Sequence, residues 1–116
     1  MEQELNNLKK QFDTYINLIK NSKAYIDYFD AKNMLENSSE ASKIINTIKD
    51  LQQAKNICKK NKQADLVIKI EKDLEKLNNQ YDLLFEVVNF NIAYEKLVEL
   101  VEEIKFNIEQ SINEKH

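Results

Sequence analysis

From Val67 onward the apolar residues keep a seven-residue rhythm. Val67, Ile70, Leu74, Leu77, Tyr81, Leu84 and Val88 follow one another at alternating steps of three and four. On a helix those steps gather the side chains into one narrow seam, the pattern of a helix packed along a partner. After Val88 the rhythm slips. Phe90 comes two residues later, and Ala93, Leu97, Leu100 and Ile104 continue in the shifted register. Such a slip marks a kink, a short break or a change of packing partner, expected here between Phe85 and Asn91. Tyr94, Val98 and Val101 run beside the second seam, each one position on from Ala93, Leu97 and Leu100. Two adjacent stripes make a wider apolar face than one intramolecular seam requires, and such faces mark interfaces. The candidate oligomer interface is therefore Phe90, Ala93, Tyr94, Leu97, Val98, Leu100, Val101 and Ile104.

The same spacing extends upstream. Leu5, Leu8, Phe12, Tyr15 and Ile19, with Ile16 beside them, predict a helix from about Gln3 to Lys20. Asn21 and Ser22 supply a break and an N-cap, because both side chains accept from the exposed N–H groups of a following turn. A second helix over about Lys23 to Glu36 carries Ala24, Tyr25, Tyr28, Phe29, Ala31 and Leu35. Asn37, Ser38 and Ser39 form the next cap. A third helix from about Glu40 lines up Ala41, Ile44, Ile45, Ile48, Leu51 and Cys58 on one side. The stretch from Lys59 to Asp65 is the clearest hydrophilic connection; its residues permit either a turn or a continuous helix, with Gln63 or Asp65 placed to cap the long helix of the heptad seam. The last helix is expected to reach about Ile112, with Asn113 to His116 fraying. The expected architecture is all-α: a single domain over residues 1–116, an antiparallel bundle of about four to five helices with a long heptad-patterned helical hairpin.

Composition sharpens this reading. The 116 residues include neither Gly nor Pro. No position is ready-made for positive φ, so tight hairpins, Gly-type helix C-caps and phosphate-cradling loops lack their preferred residue. The formal net charge is −3, and every basic residue other than the one histidine is Lys. Unaided nucleic-acid binding therefore has no electrostatic footprint, and the bidentate donor that dominates phosphate and base recognition is missing. Cys58, the one cysteine, excludes an internal disulfide framework and suits a reducing, cytoplasmic compartment. Its place on the third helix's apolar side points to a structural thiol. The acidic start, Met1-Glu2-Gln3-Glu4, has no basic segment and apolar run, so no signal peptide is expected. No apolar stretch approaches the roughly 20 residues needed to span a bilayer, so no membrane insertion is expected.

Catalytic sets are hard to assemble. The one histidine is His116, the last residue, so no Ser/His/Asp or Cys/His arrangement can be built. Glu95, Glu99, Glu102 and Glu103 sit at helical spacing but lack the Glu-x-x-His pairs of a di-metal bundle. They read as a solvated face. No catalytic, cofactor or metal residue is assigned. Two features could carry a partner surface. Tyr25 and Tyr28, with Phe29, could stack bases; core packing with the phenol hydroxyls at the rim is the preferred reading. Lys59, Lys60 and Lys62 could touch RNA or an acidic partner; a solvated helix end whose lysines complement the dipole is the preferred reading.

Certain segments resemble a known family. Leu18-Ile19-Lys20-Asn21-Ser22-Lys23-Ala24-Tyr25 continues through Tyr28, Ala31 and Leu35. The likeness resumes in Ser39 to Ile45, in Leu51-Gln52, and in Val87-Val88 followed by Phe90, Ala93, Leu97, Leu100 and Ile104. The order of these residues over about 8–108 resembles the YlbF/YmcA family of small helical bacterial regulatory proteins. The resemblance implies a helical dimer or higher oligomer acting as a non-catalytic regulatory subunit. Such subunits join other small proteins to adjust the membrane-anchored endoribonuclease RNase Y, and through it mRNA maturation, competence, biofilm formation and sporulation. Two departures stand out. Relatives often carry Pro at the entry to the last helix, where this chain has Phe85-Glu86-Val87, so a weaker break is expected. Some relatives hold an iron–sulfur cluster through cysteines; Cys58 alone cannot supply four ligands, so no cofactor is carried over.

The expected function is a cytosolic, non-enzymatic adaptor that oligomerises through its C-terminal helices. Its expected partners are a second copy, other YlbF/YmcA-type subunits and an RNase complex. Two other readings stay open: a direct RNA-binding helical module using Lys59, Lys60 and Lys62 with the tyrosines, and a purely structural coiled-coil scaffold.

Overall fold

The structure, a computed structural model, describes residues 1–114, so His116 and Lys115 lie outside it. Five helices occupy nearly all of this length: α1 (Glu2–Lys20), α2 (Lys23–Glu36), α3 (Ser39–Lys60), α4 (Ala64–Leu83) and α5 (Phe85–Glu114). No strand occurs among the described residues. The expected fraying from Asn113 does not extend to Asn113 and Glu114, which are helical.

The caps fall where small polar side chains stand. Ser22 accepts the Tyr25 N–H on Oγ at 3.1 Å and donates its own hydroxyl to the Ile19 carbonyl at 2.6 Å, closing α1 and opening α2 with one side chain. Ser38 sits extended at φ −74°, ψ 112°, and its Oγ accepts from the Ala41 N–H at 3.2 Å. Each satisfies a donor that a helix start leaves without an intrahelical partner.

The hydrophilic connection is a turn. α3 ends at Lys60, Lys62 adopts φ 57°, and α4 begins at Ala64 with Gln63 at its N-cap. The Gln63 N–H donates to the Cys58 carbonyl at 2.9 Å and the Lys62 N–H to the Lys59 carbonyl at 3.2 Å. This pair of bonds closes a Schellman motif, whose left-handed position normally takes Gly. A lysine fills it here, at the steric cost of an L-residue in that region.

The turn folds α4 back along α3, and no other pair of helices among the described residues packs as extensively. The seam read from Val67 to Leu84 faces inward as expected: Leu74 is buried, and Val67, Ile70, Leu77, Tyr81 and Leu84 are half-buried. Lys55 of α3 and Glu71 of α4 pair at 3.3 Å across the hairpin. The heptad-patterned hairpin is α3–α4. One expectation needs correction: the seam ends before Val88, which lies past the break and is exposed, while the adjacent Val87 is buried. The cause is Leu84, which leaves the helical region at φ −63°, ψ 137°. Its carbonyl then accepts from Val87 and Val88 to start α5 at once. One extended residue thus makes a full break without proline.

The chain divides into two compact units: residues 1–31 with α5 from Asn91 onward, and residues 32–90. In the second, the α3–α4 hairpin is joined by the end of α2 and the start of α5, with Ala41, Leu74 and Val87 buried. In the first, Ala31 and Ala93 are buried, and α1 contributes no buried residue. The cores are thin. Among the described residues the buried apolar side chains are small or medium, and none is completely enclosed.

Candidate interaction surface

The two apolar stripes of α5 separate in the structure. Ala93 is buried and Leu97, Leu100 and Ile104 are half-buried, so the first stripe is the more covered side of α5. Tyr94 and Val101 of the second stripe are 51% and 41% exposed, with half-buried Val98 between them. Phe90 is half-buried and belongs to the other unit. Of the candidate interface, then, Tyr94, Val98 and Val101 form the outward part. Leu97, Leu100 and Ile104 act first as packing for α5 itself.

Tyr94 also ties this flank to α2. Its ring centroid lies 6.2 Å from that of Tyr28, tilted by 48°. Tyr28 meets Phe29 edge-on at 6.1 Å, and Phe29 meets Tyr25 at 4.9 Å. Tilted and edge-to-face pairs at these separations are favoured by the ring quadrupoles, each worth about 0.5–1.5 kcal/mol beyond area burial. Tyr25 and Tyr28 are half-buried while Phe29 keeps 42% of its surface exposed. The tyrosines read as a partner surface and the stripe read as an oligomer interface therefore meet in one half-open aromatic patch. Half-buried aromatics on a rigid frame are the residue type that dominates interface energetics.

Lys59, Lys60 and Lys62 are exposed at the turn of the α3–α4 hairpin, in the other unit from the tyrosines. Beside them lies an apolar cleft of about 460 Å³, lined by Cys58, Ala64, Val67 and Ile68 together with Lys59, Lys62, Gln63 and Glu71. Cys58 is half-buried there. Among the described residues no three His, Cys, Asp or Glu side chains gather as metal ligands. One thiol cannot anchor an iron–sulfur cluster within a single chain, so the residues present do not fit that group. No helix is long and apolar enough to cross a membrane among the described residues.

Sequence reasoning missed part of the surface. On α1, Leu5, Leu8, Phe12 and Ile16 are all exposed. Their spacing was legible as a helix face, but not whether anything covers it. Phe106, 58% exposed, stands among glutamates and belongs to no stripe; an apolar residue isolated on an acidic face was the signal.

Comparison with known proteins then places the chain. The family described as "Control of competence regulator ComK, YlbF/YmcA" matches residues 15–113. The chain belongs to the YlbF/YmcA family. That family is described by its control of a competence regulator, a regulatory rather than a chemical role. Among solved structures, RicA of Bacillus subtilis, crystallised in complex with RicF, aligns with a TM-score of 0.78 at 18% identity, over 94% of this chain and 96% of that one. At that identity the likeness shows a shared fold. No curated protein matches the sequence.

Proposed function

We propose that this YlbF/YmcA protein is a cytoplasmic, non-catalytic adaptor that self-associates through the outward flank of α5 and joins other subunits of its family. The observation that carries the reading is the half-open patch of Phe29, Tyr94, Val98 and Val101. Covering it removes apolar surface from water at about 25 cal/mol per Å², without first having to order a flexible loop. Family membership supports the regulatory role. The fold shared with RicA, a protein crystallised with RicF, supports assembly with a related subunit. The action of the assembled adaptor is the adjustment of an RNase Y-type mRNA-processing complex, with competence, biofilm formation and sporulation downstream.

The test is molar mass in solution by light scattering. Wild type should run as a dimer or larger species, and Val101→Glu should shift it toward the monomer with its helical circular dichroism unchanged. Val101 is the better probe because Leu97→Glu also strikes the packing of α5. A monomeric wild type, or an undisturbed oligomer after Val101→Glu, would remove the α5 flank from the proposal. Co-purification from the host with ribonuclease-complex components tests the downstream role.

A further inference from the structure

The charges of this chain are sorted along it. Residues 55–71, around the α3–α4 turn, carry Lys55, Lys59, Lys60, Lys62 and Lys69 against Asp65 and Glu71, a local net of +3 in a chain whose net charge is −3. Residues 94–109 of α5 show the opposite balance: five glutamates against Lys96 and Lys105, a net of −3. Lys59, Lys60, Lys62 and Lys69 are exposed, and so are Glu95, Glu99, Glu102, Glu103 and Glu109. Among the described residues none of these nine makes an ion pair; the hairpin's one pair is Lys55 with Glu71.

Each charged surface has apolar residues to match. The cleft at the hairpin turn has aliphatic residues in its lining, including Val67 and Ile68, with Ile68 53% exposed. The acidic face of α5 runs beside the stripe Tyr94, Val98 and Val101 and contains exposed Phe106. At 100° per residue Val98, Val101, Glu102 and Glu109 share a side of the helix. From this complementarity we infer that the basic cleft at the α3–α4 turn of one copy receives the acidic flank of α5 from a second copy. The inference rests on the proposal that α5 mediates self-association, and it adds the surface that α5 meets. An apolar centre ringed by opposite charges is the usual layout of a specific interface, with the charges setting register and partner choice. Nucleic acid suits the cleft less well. Residues 55–71 contain no aromatic ring to stack a base and no Arg to fork a phosphate.

Charge reversal of the full chain tests this. Lys59→Glu with Lys62→Glu should weaken self-association at least about tenfold by sedimentation, and Glu99→Lys with Glu102→Lys should do the same. Mixing the two variants re-pairs opposite charges in both directions and should restore a mixed species. The wild-type association should weaken between 50 and 500 mM salt. Circular dichroism checks that each variant folds. If reversal at the turn leaves association intact while Val101→Glu disrupts it, α5 self-association stands and the cleft as its receptor falls. If both reversals weaken association but the mixture stays apart, the pairing is wrong. A short oligouridylate that binds wild type and is lost on reversal at the turn would make the cleft a nucleic-acid site and overturn the inference.

Discussion

Lys62 shows how this chain solves a turn without glycine. Its φ of 57° costs a side chain with a Cβ about 1–2 kcal/mol relative to the right-handed region. Glycine would avoid that cost but lose more backbone entropy on folding, about 0.5–1 kcal/mol. The balance predicts that Lys62→Gly stabilises the protein by about 0.5–1 kcal/mol, raising the thermal midpoint by about 2–5 °C in a circular dichroism melt. An unchanged or lower midpoint would mean the Lys62 side chain itself holds the turn. The sequence left open whether this stretch turns or stays helical, for a physical reason. Composition removed the residue that usually marks it, and Lys59 to Asp65 has adequate helix propensity throughout. Ser22 and Ser38 were legible because capping depends on a side-chain oxygen that few residue types supply.

At the level of helices, periodicity located every element and most inward faces. It could not say which helix packs on which. A seven-residue seam records that a partner exists, and α4 met that need with α3. The stripe puts the break between α4 and α5 a few residues too late, because Leu84 and Val88 both fit it while the backbone turns at Leu84. Phe85 follows an extended residue, holds the first position of α5 and is 68% exposed. Those are the conditions a helix-initial proline prefers, since the first N–H lacks an intrahelical acceptor and the residue before must be extended. Phe85→Pro is therefore expected to be neutral or stabilising by up to about 1 kcal/mol in urea denaturation. The same substitution inside α4 would cost about 3 kcal/mol. Leu74, the bulkiest buried residue of the hairpin, should behave oppositely: Leu74→Ala removes about 2–4 kcal/mol and moves the urea midpoint down with little change in slope.

For the whole molecule, the buried positions are few and small while large apolar residues line α1, the α2–α5 patch and the hairpin turn. Under the self-association proposed above, covering these residues adds stability, so the thermal midpoint should rise with protein concentration. A tenfold dilution in a scanning calorimeter should lower it measurably, and Val101→Glu should abolish that dependence. An unvarying midpoint would assign the stability to the single chain. The candidate surface was only half legible from sequence. Tyr94, Val98 and Val101 could be picked as surplus apolar positions, but their union with Tyr25 and Tyr28 depends on α2 meeting α5, which no local pattern encodes.

The connections between helices are short: Asn21–Ser22, Asn37–Ser38, Asn61–Gln63 and the single residue Leu84. That brevity bears on how fast the chain reaches its native state. α3 and α4 dock after closing one very small loop, and no prolyl bond has to isomerise. After a stopped-flow jump out of denaturant, helix recovery should be complete within milliseconds, with nothing on the scale of tens of seconds. Under the proposed self-association, a slower step that reports two chains finding each other should quicken as protein concentration rises.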